Sequence, residues 1–300
     1  SKSVGIATAA TNHNTRHPLV TASYATTMHR LTEGRFCLGI GRGIGPLFAA
    51  YGMSKITTAQ MEDFANVMKR LFKGEVIFGH DGPIGKYPIL ALDPTFDENI
   101  PLGITAFGQN TLELAGRAFD CVILHTFFSD ETTQRCVKTV KDSAERAGRD
   151  PDKVRVWSCF ATIGDHIPED VRLKKTVGRL ATYLQGYGDL MVTTNNWDPQ
   201  VLQRFREDEF IKSFRGALDG VATTEQLEHV ATLIPSEWLE SAASGTPEQC
   251  VASIRNQFDL GCDGVIMHGA SPDDLAPIVH EYRATRPVGV FDHLAANPGG

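Results

Sequence analysis

Short apolar runs alternate along the chain with longer stretches in which apolar residues recur every three or four positions, which predicts strands and helices in turn. Strand-like runs cover residues 4–10, 36–40, 101–107, 121–125, 154–163 and 264–268, and helical spacing covers 18–31, 57–72, 108–117, 130–147, 246–260 and 272–284. In the first helix Pro18 suits the opening turn, Leu19, Ala22, Met28 and Leu31 supply the apolar spacing, and Gly34 ends it. The stripe Met61, Phe64, Val67, Met68 and Leu71 predicts a buried helix face, closed by Gly74. Thr246-Pro247-Glu248-Gln249 has the composition of a helix start, with Thr246 as cap. Residues 164–245 are mostly helical in pattern, with a break over 193–199. Residues 44–55 read as a loop, and 75–99 as a surface excursion because Gly, Asp and Pro interrupt every apolar run.

Strands alternating with helices through short connections imply a parallel sheet. The clearest strand is the run Arg35-Phe36-Cys37-Leu38-Gly39-Ile40-Gly41-Arg42-Gly43. Its apolar core is bounded by glycine, as in a strand covered on both faces. Glycines 39, 41 and 43 are expected to leave room for a flat or anionic ligand against the backbone. Gly39 and Gly41 have the spacing of a dinucleotide fingerprint, but Ile44 stands where its third glycine belongs. Six strands suit an open doubly wound sheet, whereas a closed (β/α)8 barrel needs eight.

With 300 residues, 42% of them hydrophobic, the chain can bury a full core as one large domain or two small ones. The net charge of −7 and the lack of a basic run argue against a nucleic-acid partner. No apolar run has the roughly 20 residues that span a bilayer. Cysteines 37, 121, 136, 159, 250 and 262 contain no Cys-x-x-Cys pair, so they read as buried thiols of a reducing, cytoplasmic protein rather than as disulfides or a zinc site. The start Ser-Lys-Ser-Val-Gly looks like a cut end, and residues 287–300 like a fraying tail.

Candidate chemistry lies where the apolar runs give out: Thr8 and Asn12, Arg42, Gly108 and Gln109, His125, and His268. In a parallel barrel such ends converge on one rim, where active sites are built; in an open sheet they line only the switch-point crevice. Gly108-Gln109-Asn110-Thr111 feeds a helix N-terminus and suits a phosphate, or is an ordinary strand-to-helix turn. His125 and His268 could move protons, touch substrate or simply be hydrogen-bonded rim residues. His13 and His17 have the spacing of a metal pair but no accompanying carboxylate, so metal binding there is not expected.

The segments Thr15-Arg16-His17-Pro18-Leu19-Val20, Ala25-Thr26-Thr27-Met28-His29-Arg30-Leu31 and Leu38-Gly39-Ile40-Gly41-Arg42-Gly43 together resemble the bacterial luciferase-like superfamily. Within it they are similar to actinobacterial oxidoreductases that use the deazaflavin coenzyme F420. Further segments continue the likeness: Pro101-Leu102-Gly103-Ile104, Ala115-Gly116-Arg117-Ala118-Phe119-Asp120, Gly148-Arg149-Asp150-Pro151, Gly245-Thr246-Pro247-Glu248 and Gly261-Cys262-Asp263-Gly264.

That resemblance implies a (β/α)8 TIM barrel of the luciferase-like type, joined at its third strand. About 50–60 residues carrying two strands and a catalytic group are then expected to be missing at the N-terminus, leaving an exposed edge. It implies one domain over 1–286, with a helical insertion at about 165–245 that acts with Trp197 as a substrate-selecting lid, and a tail over 287–300. It places a non-proline cis peptide in Thr8-Ala9-Ala10. Thr8, Ala9 and Ala10 would then bulge against the back of the flavin-like ring, with Asn12, Arg42 and Gly43 also binding the cofactor and Ala106, Phe107, Gly108 and Gln109 at its phosphate. His125 takes the proton role in hydride transfer between F420 and a small organic substrate. Sugar-phosphate dehydrogenases of the family carry glutamate where this chain has Ile44, so glucose 6-phosphate is not expected as substrate. An FMN-dependent monooxygenase and a non-catalytic flavin-binding relative are the alternatives, and a homodimer is the expected assembly.

Overall fold

A computed structural model describes residues 4–43 and 45–294, and the chain divides into two compact units. The first comprises residues up to 123, residues 138–156 and the segment from 291; the second comprises 124–137 and 157–290.

Unit one is built on parallel strands β1 (Ile6–Ala7), β2 (Phe36–Ile40), β5 (Leu102–Thr105) and β6 (Cys121–Ile123). They pair in the order β1-β2-β5-β6, with Leu38 beside Leu102 and Ile104 beside Val122. Every residue of β2 is buried, as its unbroken apolar run requires. Among the described residues β1 pairs with β2 alone, and its Ile6 is 42% exposed.

Helix α1 (Pro18–Leu31) has the expected bounds but not the expected inner face. It buries Thr21, Ala22, Ala25, Thr26 and His29, while Leu31 is 73% exposed. Small residues let the helix backbone lie close to its neighbours, and Thr26 Oγ1 returns its proton to the Ala22 carbonyl of its own helix, so this polar group can be buried. A short helix α2 (Gly45–Ala50) replaces the loop expected there; Ile44 itself lies outside the described residues. Helix α3 (Thr58–Phe72) opens with a Thr57–Gln60 capping box and buries the whole predicted stripe. Gly74 follows at φ +70°, where a Cβ would meet the Pro94 and Phe96 carbonyls at 2.7 Å.

The expected surface excursion is instead an antiparallel hairpin, β3 (Ile77–Gly82) and β4 (Gly85–Leu90). Its pattern was illegible because both strands are mostly exposed and carry Gly, Asp and Pro. Helix α3 anchors it through Asp63, whose Oδ2 accepts the Ile84 N–H at 3.0 Å and contacts His80 Nε2 at 3.1 Å. Helix α4 (Gln109–Ala118) follows β5, and α5 (Asp130–Arg146) contributes its C-terminal half to this unit.

Unit two is centred on β7 (Arg155–Gly164) from Trp157 onward. The helices that follow include α6 (Glu169–Leu173), α7 (Arg179–Asn195), α8 (Pro199–Glu207), α9 (Glu209–Ser213), α10 (Leu218–Val221), α11 (Thr224–Ala231) and α12 (Ser236–Leu239). The chain returns as β8 (Ala243–Gly245), α13 (Pro247–Asp259), β9 (Gly264–His268) and α14 (Pro272–Thr285). Strand β7 pairs in parallel with β9 along Trp157–Ala161 and with β8 along Thr162–Gly164. Among the described residues the six expected strands thus become seven in parallel plus the hairpin; three-residue β8 is too short to show a period in sequence. Phe160, Ala243, Cys250, Val251, Ile254 and Ile278 form a core cluster here. Trp197 stacks on Trp238 at 4.3 Å and 8° within the helical segment.

Candidate functional site

In unit one the chain runs from β1 through Thr8-Ala9-Ala10 along the end of β2. The Ala9–Ala10 peptide is cis, at the place implied by the resemblance. Thr11 N–H donates to the Gly39 carbonyl at 3.0 Å, and Gly41 N–H to the Thr11 carbonyl at 2.9 Å. The Thr8 hydroxyl donates to the Gly39 carbonyl at 2.8 Å and accepts the Gly39 N–H at 2.9 Å. Asn12 Nδ2 donates to the Gly41 carbonyl at 2.8 Å.

These contacts correct the reading of the glycines. A Cβ on Gly39 would stand 1.9 Å from the Thr8 carbonyl oxygen, and one on Gly41 would stand 2.5 Å from Thr105 Oγ1. Gly43, at φ +69°, faces the Phe48 ring at 2.6 Å from an added Cβ. At Gly39 and Gly41 the missing side chain makes room for the protein's own Thr8 carbonyl and Thr105 hydroxyl, and at Gly43 for the Phe48 ring.

Arg42 leaves β2 and is half-buried. Its Nη1 donates to the Ile56 carbonyl at 2.9 Å, and its Nη2 to Thr58 Oγ1 at 2.5 Å and Thr111 Oγ1 at 3.2 Å. Burial lowers its pKa from the ordinary arginine value. The guanidinium therefore ties the end of β2 to the first turns of α3 and α4. Ala106 is buried and its N–H donates to the Ile123 carbonyl at 3.0 Å. Phe107 follows, and Gly108 is the extended N-cap of α4, with no side chain capping it. The Gly108 carbonyl accepts from Thr111 and Leu112, whereas the Gln109 side chain points along the helix to Glu113 at 2.8 Å. The N–H groups of Gln109 and Asn110 thus open this helix without a side-chain acceptor, the arrangement that suits an anion.

Unit two holds His125, two residues beyond β6. Its Nδ1 lies 3.0 Å from the Thr126 carbonyl and its Nε2 2.9 Å from Tyr187 Oη. A carbonyl can only accept, so Nδ1 carries the proton; Nε2 then accepts the Tyr187 hydroxyl. Burial lowers the His125 pKa to about 4, with the Thr126 bond opposing and the nearby His268 adding to the shift, so the ring is neutral at pH 7. Tyr183 and Tyr187 enclose the imidazole edge-on, at 4.8 and 5.3 Å, and stack on each other at 5.4 Å. Burial raises the pKa of both tyrosines. Arg179 stands 6.0 Å from the Tyr183 ring and is paired to Asp219 at 2.8 Å.

The backbone explains how Tyr187 reaches its partner. A π-helical turn over Lys174–Gly178 leads into α7, and α7 breaks at Tyr187, with φ −155° and ψ 38°. Tyr187 sits between Gly186 and Gly188. Gly188 lets the helix pack against Leu202, whose terminal methyl would stand 2.7 Å from a Cβ there. Gly-Tyr-Gly inside a helical run was the signal for this residue. Tyr183, Arg179 and Thr126 carried no comparable mark.

His268 ends β9; burial, with the charges of Arg179 and Lys175, lowers its pKa. Its Nδ1 has no hydrogen-bond partner among the described residues. His17 caps α1 by accepting the Leu19 N–H at 3.2 Å, and His13 is buried against Phe64. Among the described residues no cluster of three His, Cys, Asp or Glu side chains could hold a metal ion. None of their helices is long and apolar enough to cross a membrane.

Residues 2–264 match the sequence model of the luciferase-like monooxygenase family. Over 272 residues the chain is 26% identical to a 5,10-methylenetetrahydromethanopterin reductase of Methanolobus tindarius, covering 89% of this chain and 77% of that one. It is 25% identical over 271 residues to a phthiodiolone/phenolphthiodiolone dimycocerosates ketoreductase of Mycobacterium tuberculosis, covering 87% and 68%. In fold it is similar to the coenzyme F420 dependent tetrahydromethanopterin reductase from Methanopyrus kandleri, with a TM-score of 0.71 at 20% identity over 91% of this chain and 80% of that one.

Proposed function

This chain belongs to the luciferase-like monooxygenase family, and on that premise we propose that it is an oxidoreductase transferring a hydride between the deazaflavin coenzyme F420 and a small organic substrate. The observation that carries the reading is the Gly108 turn: β5 delivers an uncapped α4 N-terminus, whose free N–H groups can donate to a cofactor phosphate. Ala106, Phe107, Gly108 and Gln109 would hold that phosphate. The small side chains of Ala9 and Ala10 leave a low backbone surface for a flat ring, beside Asn12 and Gly43. Thr8 and Arg42 contribute by fixing this surface, since their polar groups already bond to Gly39, Ile56, Thr58 and Thr111. The reductase and ketoreductase names of the relatives support a reductase, and the coenzyme F420 dependence of the similar Methanopyrus kandleri enzyme supports the deazaflavin over FMN.

When bound, the deazaflavin supplies the carbon that accepts or gives the hydride. His125 and Tyr187 manage the accompanying proton. Neutral His125, its tautomer held by the Thr126 carbonyl, takes the Tyr187 proton at Nε2 as Tyr187 Oη takes one from the substrate; in reduction the transfer reverses. The helical segment 165–245, with Trp197 stacked on Trp238, sets substrate choice. The reading carries with it the family's (β/α)8 barrel as one domain over 1–286, a cytoplasmic location and a homodimer.

Fluorescence titration with F420 and, separately, with FMN tests the proposal. Saturable binding of F420 in preference to FMN is expected. A preference for FMN with oxygen consumption would replace it by a monooxygenase, and binding of neither would indicate a non-catalytic relative.

A further inference from the structure

We propose that unit one contains a second small-molecule site, formed by His13, Arg16, Pro18, Gln60, Phe64 and Tyr87, that takes a small planar aromatic carboxylate. The pocket lies between the turn after β1, the start of α1, helix α3 and the β3–β4 hairpin, and measures about 180 Å³. None of its lining residues is one assigned above to the cofactor.

Its floor is His13, Pro18 and Phe64, all buried, and Asn14 and Arg16 form an exposed rim. Phe64, Pro18, Tyr87 and Ile84 give apolar walls. An apolar cavity of about 150 Å³ accommodates benzene, so the space here has the size of one six-membered ring with a small substituent, which its polar rim can meet. The remaining lining is rich in donors. His13 is only 6% exposed, yet its Nδ1 has no hydrogen-bond partner among the described residues. A buried ring nitrogen left unpaired is costly, and native interiors rarely keep one without a ligand or water to meet it. Among the described residues Arg16 bonds through Nη1, to Thr11 Oγ1 at 3.0 Å and Thr15 Oγ1 at 3.1 Å, and its Nη2 and Nε can meet an incoming acceptor. Gln60 uses Oε1 to accept the Thr57 N–H at 2.9 Å, so its amide N–H groups remain available. Tyr87 donates its proton to the Ile84 carbonyl at 3.1 Å and can only accept one further bond.

No carboxylate lines the pocket. Asp63, behind the hairpin, is already engaged by His80 and the Ile84 N–H. One guanidinium, one amide and one imidazole N–H around an apolar slot select an anion with two acceptor oxygens and a flat body. Burial lowers the His13 pKa, so the ring meets this ligand neutral, in the tautomer that carries its proton on Nδ1, and Arg16 is the charge that recognises it.

Benzoate is the probe, followed through the ring resonances of His13 in the isotope-labelled full chain. Saturable shifts at His13 are expected, with benzamide at least tenfold weaker because it lacks the charge. Arg16→Gln, at an exposed position that leaves the core intact, should weaken benzoate at least tenfold, and Arg16→Lys should restore part of the loss. Unmoved His13 signals at saturating benzoate would overturn the site. Equal binding of benzoate and benzamide, or an unaffected Arg16→Gln variant, would overturn the anion as its ligand. Displacement of benzoate by F420 would make the pocket part of the cofactor site and overturn its independence.

Discussion

Gly39 shows how little freedom a single position can have. Its missing Cβ is replaced by the Thr8 carbonyl, whose oxygen would stand 1.9 Å from the added carbon. Neither backbone can withdraw without breaking the Thr8 and Thr11 bonds to Gly39. Gly39→Ala is therefore expected to destabilise the protein by about 3 kcal/mol, at the upper end of overpacking costs, measured by urea unfolding. Gly186, on a helix with nothing within 4 Å of an added Cβ, is the contrast. There alanine should be neutral or stabilise by up to about 1 kcal/mol. Tyr187→Phe keeps both ring contacts of Tyr187 and removes only the hydroxyl that meets His125. Under the proposed reaction it should slow hydride transfer on the order of 10²-fold and leave F420 affinity unchanged. Stopped-flow absorbance would follow the first and fluorescence titration the second.

At the scale of the element, caps were more legible than faces. Among the described residues four helices begin with capping boxes, at Thr57–Gln60, Thr223–Gln226, Thr246–Gln249 and Ser271–Asp274. The one at Thr246 was readable because cap, proline and acidic first turn coincide in sequence. Thr246→Ala should cost about 1 kcal/mol, with faster amide exchange confined to the first turn of α13. Helix α1 was bounded correctly by Pro18 and Gly34, yet its apolar positions misled. Leu31 is exposed, whereas Thr21, Thr26 and His29 are buried. Close packing by small residues, and by Thr26 bonded to its own helix, outweighed hydrophobicity there.

For the molecule as a whole, burial of histidines sets a pH dependence. His13, His125 and His268 all have lowered pKa values, His125 at about 4 against an ordinary 6.5. The unfolded chain binds these protons more readily than the folded one, so stability must fall as pH drops from about 6.5 toward 4. His125 alone contributes on the order of 3 kcal/mol to that loss. Urea midpoints across this range should decline with acid, and His125→Gln should flatten the slope.

The succession of strands and helices, the fully buried β2, the core stripe of α3 and the glycine-led start of α4 were all determined by sequence, because each depends on local periodicity or on a cap within one turn. The family was legible too, since its residues lie in contiguous segments. What the glycines of 39–43 accommodate, which face of α1 turns inward and that Tyr187 meets His125 were decided only by tertiary structure. Each depends on atoms brought together from distant parts of the chain: Thr8 on Gly39, Thr105 on Gly41, and Tyr187 on a histidine 62 residues away. No local pattern records such distances, because close packing, not periodicity, selects them.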